Sequence, residues 1–431
     1  MSKFQTIRGM RDFLPREAAT MKYVEQVTRE LAHLYCYEEV ITPIVESYDL
    51  LTAKSGEEIR KRMYAFSDLG GRKVGLRPEF TASIARLIAT KMMNAPKPIR
   101  LYCCGRLYRY DEPQALRYRE FWQSNYELIG SDKPEADAEI LILTHNLMTR
   151  LRLRSWFKIG HVGILRGILS QEDIAEEQQN QIMQLLDNKR WDEALAVAQE
   201  AGGSQIATTT LKDILETRGK NVVTVLKKAK HIVSNYDDAM AAVENLQTIL
   251  DLVKESGAKF EILIEAGFAR GLEYYTGMVF QPYVPELERE VGGGGRYDKL
   301  IELFGGESTP AVGVAHGLGR LDLAMKKQKV LTKIGAERRV IVIPIGDEMR
   351  AKALELSLTL RHVNIPAEVE VMGRTVSKAL SDANRRNVTH AVILGAEELK
   401  MGKVVLRGMK ERVQETVTIE NLSDEILKTT A

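Results

Sequence analysis

The chain has 431 residues, 44% of them hydrophobic and 28% charged, with a formal net charge of +2. That length sets an expectation of roughly two to four domains, each able to bury its own core. The small net charge excludes strong whole-molecule steering of a polyanion, so any nucleic-acid contact has to come from local basic patches. The three cysteines, Cys36 and the pair Cys103 and Cys104, lack metal-ligand spacing and suit a reducing compartment better than a disulfide framework. MSKFQTIRGMRDFLPRE at the start is charged early and has no apolar run, so neither a signal peptide nor an anchor is expected, and the cytoplasm is the default location.

In chain order, the first element is an amphipathic helix over residues 18–36, where Met21, Val24, Val27, Leu31 and Leu34 recur at helical spacing. The β-branched run from Val40 to Val45 follows, and Pro43 within it suits an edge strand or an interface. Residues 63–77, MYAFSDLGGRKVGLR, predict a hairpin turning at Gly70 and Gly71. A helix from Thr81 comes next, then two long strands over 98–110 and 118–130, separated by DEPQALR. Residues 170–255 read as helix after helix set between strand-rich flanks. Strands resume at KFEILIEAG and continue through FARGLEYYTG, residues 268–277, and VGGGGRYDKL, while TPAVGVAHGLGRLDLAM passes through glycines into a helix. Beyond a basic linker, VIVIPI, AEVEV, HAVILG, KVVLR and TVTIE, with helices over 347–363 and 375–387, predict a small α/β domain.

Alternation puts Phe121, Gln123, Asn125, Glu127 and Ile129 on one face of the second long strand and Trp122, Ser124, Tyr126, Leu128 and Gly130 on the other. The polar face suits either a solvated surface or a pocket floor. Arg100, Arg106, Arg109, Arg117 and Arg119 gather around the strand-loop-strand, ready for phosphate or carboxylate, or for ion pairs with Asp111 and Glu112. Gly292 to Gly295 permit close backbone approach but lack dinucleotide or P-loop spacing, and Arg296-Tyr297-Asp298 after them reads best as a turn and helix cap. Gly317 and Gly319 precede a helix with Arg320 near its start, a position suited to an anion or the face of a purine. The seven histidines are scattered without ligand spacing, and no nucleophile-base set is evident. FARGLEYYTG puts a cation, a carboxylate and two phenols within six positions, a composition that a packed core does not select.

Together these segments resemble the class II aminoacyl-tRNA synthetases: VITPIVES around Pro43, GRLYRYDEPQALRYREFWQ with Arg109, and AVGVAHGLGRL with Arg320 are similar to their three motifs. ARGLEYYTG and GGGGRYDKL resemble the two signatures of the histidyl-tRNA synthetase family. The resemblance implies an α+β fold. An antiparallel-sheet catalytic domain of class II type, residues 1–168 and 257–328, would enclose a helical insertion at 169–256. A linker at 329–337 and an α/β anticodon-binding domain at 338–431 would follow, and the chain would form a homodimer.

It also implies a reaction: activation of L-histidine with ATP to histidyl-adenylate, releasing pyrophosphate, then transfer of histidine to the 3′ end of tRNA(His). Mg²⁺ would ride mainly on the nucleotide phosphates, with no metal site from a protein motif. By the same resemblance Glu79 and Thr81, helped by Gln123, hold the substrate ammonium, while Glu127, Tyr275 and Tyr274 address the imidazole. Arg109 and Arg270 would be the catalytic pair facing each other across the substrate carboxylate and α-phosphate. Phe121 and Arg320 would sandwich adenine, with Arg117 on the outer phosphates. Gln114 and Arg119 would meet the tRNA acceptor end; Arg374, Lys378, Arg385 and Arg386 would either touch RNA backbone or form an exposed helix face. Phe80, where the family often has a small residue, is expected to reshape the pocket entrance. A rival reading is a catalytically inactive paralogue serving as a regulatory subunit in histidine biosynthesis, which predicts loss of Arg270 or of the last domain; the chain keeps both. If Tyr274 and Tyr275 line one pocket, a flat strand cannot carry them, and the backbone has to bend between Gly271 and Gly277.

Overall fold

Two ten-residue strands organise the first of two units, residues 1–332 and 333–431, of a computed structural model that describes residues 4–53, 60–112, 118–270, 274–330 and 338–428. The strands are β1 (Glu38–Glu39), β2 (Val45–Ser47), β3 (Ala65–Ser67), β4 (Lys73–Leu76), β5 (Ile99–Tyr108) and β6 (Glu120–Ile129), then β7 (Trp156–His161), β8 (Arg218–Gly219), β9 (Glu261–Glu265), β10 (Met278–Tyr283), β11 (Gly292–Arg296) and β12 (Ala311–Gly317). Nine of them form one sheet in the order β1-β5-β6-β12-β11-β10-β7-β9-β8, antiparallel except for the β1–β5 and β7–β9 pairs. The remaining three form a small sheet in which β3 and β4 make the expected hairpin, with Gly71 at φ +80° in its turn. Glycine serves there because a left-handed backbone costs it little.

One face of β5 is covered by the helix Thr81–Leu87, whose Phe80, Ile84 and Ala85 pack with Leu101, Cys103 and Leu107. The opposite face of β5, β6 and β12 carries the helices Pro15–Leu34, Pro134–Arg150 and Leu318–Lys327. Tyr126 on that side donates its hydroxyl to the Thr28 carbonyl at 2.8 Å. The helical stretch comprises Glu176–Asp187, Trp191–Glu200, Gln205–Glu216, Val222–Ile232 and Asp237–Glu255. It joins the large sheet through β8, and Asp237–Glu255 packs on Val162–Gln171, where a Cβ at Gly167 would run into the Ala239 backbone.

Three sequence expectations differ from the structure. The run from Val40 to Ile44 is not a strand: Pro43 has no N–H to give a ladder, and the Thr42 and Pro43 carbonyls instead accept from Arg77 at 2.6 and 3.2 Å. The paired edge is Glu38–Glu39, on β5. Residues 274–277 of the tyrosine segment are also outside any strand, since β9 ends at Glu265 and pairing resumes only at Met278. Phe80 is 1% exposed in the core, with Arg77 stacked 4.4 Å from its ring, and does not shape the cavity mouth.

The second unit contains β13 (Val340–Pro344), β14 (Ala367–Val369), β15 (His390–Leu394), β16 (Lys403–Gly408) and β17 (Gln414–Thr418) in the order β14-β13-β15-β16-β17. The first three are parallel, and their strand residues alternate between two cores. Val340 and Val342 face the helices Arg350–His362 and Leu422–Lys428, whereas Ile341 and Ile343 face Val376–Arg385. Asp382 on that last helix accepts from Arg374, Arg385 and Arg386 at 3.1, 3.2 and 2.8 Å. Among the described residues no helix is long and apolar enough to cross a membrane.

Candidate active site

Register explains the cavity floor. Antiparallel partners share a face, so Gln123, Asn125 and Glu127 of β6 stand beside Gly317, Ala315 and Gly313 of β12, and these in turn meet Gly293 and Gly295 of β11. The bare rungs are occupied by side chains from elsewhere. A Cβ at Gly313 would run into the Glu127 carboxylate, one at Gly295 would lie 2.9 Å from the Tyr275 ring, and one at Gly293 would lie 3.0 Å from the Arg270 guanidinium. The result is a cavity of about 310 Å³.

Glu79, Thr81, Arg109, Phe121, Gln123, Glu127, Arg270, Tyr274, Tyr275 and Arg320 all line it. At one end Glu127, 1% exposed, accepts from Tyr297 Oη, from Thr81 Oγ1 at 2.8 Å and from Asn125 Nδ2 at 3.3 Å. Burial raises its pKa to about 7 against the pull of those donors. The Tyr274 ring lies 4.8 Å from Tyr275 and 5.9 Å from Tyr297, so three phenols crowd around the carboxylate end. Both predicted tyrosines reach one cavity because residues 274–277 turn instead of running flat; Gly271, where the bend was expected to begin, is outside the described residues. Glu79 accepts the Thr81 and Ala82 amides at 2.7 and 2.8 Å, which fixes it at the start of the helix Thr81–Leu87. Burial raises its pKa, with those amides and Arg109 pulling the other way. Gln123 Oε1 is buried without a protein partner among the described residues.

The other end is cationic. Arg109 gives its Nε–H to the Pro78 carbonyl at 2.9 Å and lies 5.2 Å from the Phe121 ring. Burial pulls its pKa below the ordinary arginine value, with Asp111 and Glu79 opposing. For Arg270 burial also works against the charge, but Tyr275, Asp187 and Glu290 outweigh it and hold the group above its usual range. Arg320 donates to the carbonyl and carboxylate of Glu290 at 2.7 and 2.8 Å. Among the described residues no group of three or more His, Cys, Asp or Glu side chains could hold a metal ion.

The other arginines of the strand-loop-strand serve elsewhere. Arg100 makes a two-point pair with Glu139, and Arg106 pairs with Glu120 and covers Trp122. Arg119 departs from the expectation of a tRNA reader: it is 6% exposed, donates to the Asp111 carbonyl at 3.1 Å and lies 3.7 Å from the Tyr110 ring, so it braces the hairpin base. Gln114 and Arg117 lie outside the described residues. The turn expected at Arg296-Tyr297-Asp298 begins only at Asp298, since Arg296 ends β11 and Tyr297 enters the cavity wall. Tyr297, Glu290 and, from the helical stretch, Gln184, Asp187 and Asn188 also line the cavity without having been anticipated, whereas Asn125 comes from the polar face of β6 that alternation picks out. Tyr297 carried a signal, its position two residues after the glycine run, whereas the helical residues carried none.

The arrangement can take a small molecule with a polar ring at the carboxylate-phenol end and an anionic group between guanidiniums. Comparison with known proteins fits it. A curated relative from Methanococcus maripaludis named "Histidine--tRNA ligase" is 39% identical over 428 residues, 98% of this chain and 99% of its own length. A solved histidyl-tRNA synthetase from Nostoc sp. PCC 7120 covers 99% of this chain and 100% of its own at a TM-score of 0.80 and 23% identity, a likeness of fold. A Bacillus halodurans structure described as an ATP phosphoribosyltransferase regulatory subunit/histidyl-tRNA synthetase covers 92% of this chain and 100% of its own, with a TM-score of 0.78 and 25% identity. An anticodon binding domain matches residues 339–429, and the histidyl-tRNA synthetase family matches residues 9–321; the chain belongs to that family.

Proposed function

We propose that the chain activates L-histidine with ATP to histidyl-adenylate, releasing pyrophosphate, and transfers histidine to the 3′ end of tRNA(His). Curated relatives with this activity in their names align over nearly their whole length, and one observation in the cavity carries the match to histidine. Glu127 is held by Tyr297, Thr81 and Asn125 beside Tyr274 and Tyr275. An imidazole has two ring nitrogens; the carboxylate accepts from one N–H, and a phenol answers the other.

In this reading Glu79, Thr81 and the unpartnered Gln123 carbonyl oxygen hold the ammonium. The substrate carboxylate oxygen bonds to the α-phosphorus of ATP as the bond to pyrophosphate breaks. Arg109 and Arg270 balance the charge that grows there. Phe121 and Arg320 flank adenine. Mg²⁺ on the nucleotide phosphates would supply further charge neutralisation, and Glu290, whose Oε1 pairs with Arg320, would offer it a hard oxygen donor from the wall. The terminal ribose hydroxyl of tRNA then attacks the acyl carbon, and AMP leaves.

The regulatory-subunit alternative is disfavoured by Arg109, Arg270, Arg320, Tyr274 and Tyr275 all lining one cavity and by the anticodon binding domain match. A homodimer through the Pro43 segment is supported by exposed apolar residues there, Ile41 at 90%, Ile44 at 43% and Val45 at 45%; a monomer in sedimentation would remove that part. Free thiols at Cys36, Cys103 and Cys104, and the need for tRNA, support a cytoplasmic setting. The deciding experiment is ATP–pyrophosphate exchange with each of the twenty amino acids. Histidine is expected as the best substrate, and any other amino acid in that position overturns the reading.

A further inference from the structure

The wall that carries Tyr275 and Tyr297 is anchored by an ion network outside the cavity. Arg296 is 7% exposed, and Asp137, on the helix Pro134–Arg150, is 1% exposed. Every N–H of the Arg296 guanidinium meets an acceptor. Nε–H goes to both Asp137 oxygens at 3.1 Å, and one terminal nitrogen goes to the Ser131 carbonyl at 2.9 Å and to Asp298 at 3.1 Å. The other goes to Asp137 and to the Lys133 carbonyl at 3.3 Å. Asp298 also accepts the Ala311 amide at 3.2 Å.

This network reaches the tyrosine segment at one residue. The Thr276 amide donates to the Arg296 carbonyl at 2.8 Å, its hydroxyl donates to Asp298 Oδ2 at 3.1 Å, and Thr276 Oγ1 accepts the Asp298 amide at 3.1 Å. Gly277 lets the stem of Arg296 pass, since a Cβ there would lie 2.8 Å from Arg296 Cδ. Residues 274–277 have no strand ladder to fix them, so these bonds, with that from the Val162 amide to the Gly277 carbonyl at 3.0 Å, set where the segment lies. Thr276 follows Tyr275, and Arg296 precedes Tyr297, so one buried cluster clamps the chain one residue away from each ring. Arg296, Asp137 and Asp298 are not among the residues lining the cavity, so a ligand there does not meet them.

We propose that Arg296, fixed by Asp137 and Asp298, is a positioning residue that holds Tyr275 and Tyr297 around the Glu127 end and so sets affinity for the amino acid while leaving ATP affinity unchanged. The proposal rests on the histidine reading of that end. Pyrophosphate exchange on the full chain tests it, with separate KM values for histidine and ATP and an unfolding midpoint for each variant. Thr276→Val removes both bonds between the hydroxyl and Asp298, and it is expected to raise the KM for histidine at least about fivefold, the weight of one net hydrogen bond, with that for ATP within about twofold. Thr276→Ser keeps the hydroxyl and restores the parent value. Asp137→Asn moves the histidine KM in the same direction and further; if it does not fold, Thr276→Val still decides. A lowered midpoint with an unchanged histidine KM, or both KM values rising together, overturns the proposal. Absence of histidine-dependent exchange in the parent would instead remove the functional reading itself.

Discussion

The cavity and the ion network behind it are built from the same stretch of sheet, yet they treat buried polar groups in opposite ways. Arg296 has all its donors committed to protein acceptors, whereas Gln123 Oε1 and Asn125 Oδ1, buried on the cavity side, have no partner among the described residues. Among the described residues the Arg109 side chain gives one bond, to a carbonyl, and otherwise faces the cavity. Buried polar groups are normally satisfied, so unfilled acceptors and donors that converge on one hollow mark where a ligand completes the count. A saturated guanidinium is framework, and an unsaturated one is available for chemistry.

That contrast breaks if mutations on the two sides behave alike. The largest expected effect is on the framework side: Asp137→Ala takes from the buried Arg296 its bidentate carboxylate partner, leaving Asp298 and two carbonyls, and should cost about 3–5 kcal/mol of stability, read by denaturant unfolding. Arg270→Ala should do the reverse, slowing histidine-dependent exchange about 10²–10³-fold with tRNA binding and the unfolding midpoint close to the parent's. A large loss of stability without loss of exchange would move Arg270 to the framework.

The smallest effect sharpens the comparison through pH. Burial lifts the Glu127 pKa from 4.5 to about 7, so the folded chain holds that proton more tightly than the unfolded one. The stability it contributes is complete below about pH 4.5 and is lost as pH rises through about 7. Glu127→Gln cannot titrate, and its stability should fall less than the parent's across that window, by roughly 2–3 kcal/mol. Equal pH profiles would remove the burial cost assigned to Glu127.

Much of this was legible in the residues. Period-two alternation in residues 119–130 separated Gln123, Asn125 and Glu127 from Ser124, Tyr126 and Leu128, and the structure keeps that division because ladder pairing forces it. The second unit follows its βα pattern for the same reason. The role of Tyr297 was hidden because Arg-Tyr-Asp after glycines is also good turn chemistry; the turn starts only at Asp298, and Arg296 is instead held by Asp137, 159 residues away. Arg109 and Arg119 look alike in sequence; the cavity that Arg109 lines and the Asp111 carbonyl that holds Arg119 tell them apart. The helix Pro134–Arg150 has a readable start, proline in its first turn with Glu135 and Asp137 close behind, yet it does not stand out beside the strands around it. Asp187 reaches the cavity from a helical segment whose sequence carries no mark of chemistry.

The glycine rungs under Glu127, Tyr275 and Arg270 have a further consequence. A pocket hollowed between side chains can widen when those side chains change rotamer. This floor is main chain, its strands held about 4.8 Å apart by the interstrand hydrogen bonds. It therefore behaves as a rigid gauge: a bulkier amino acid cannot be admitted by side-chain adjustment beneath it, and altering its selectivity means rebuilding the groups that stand on the gauge.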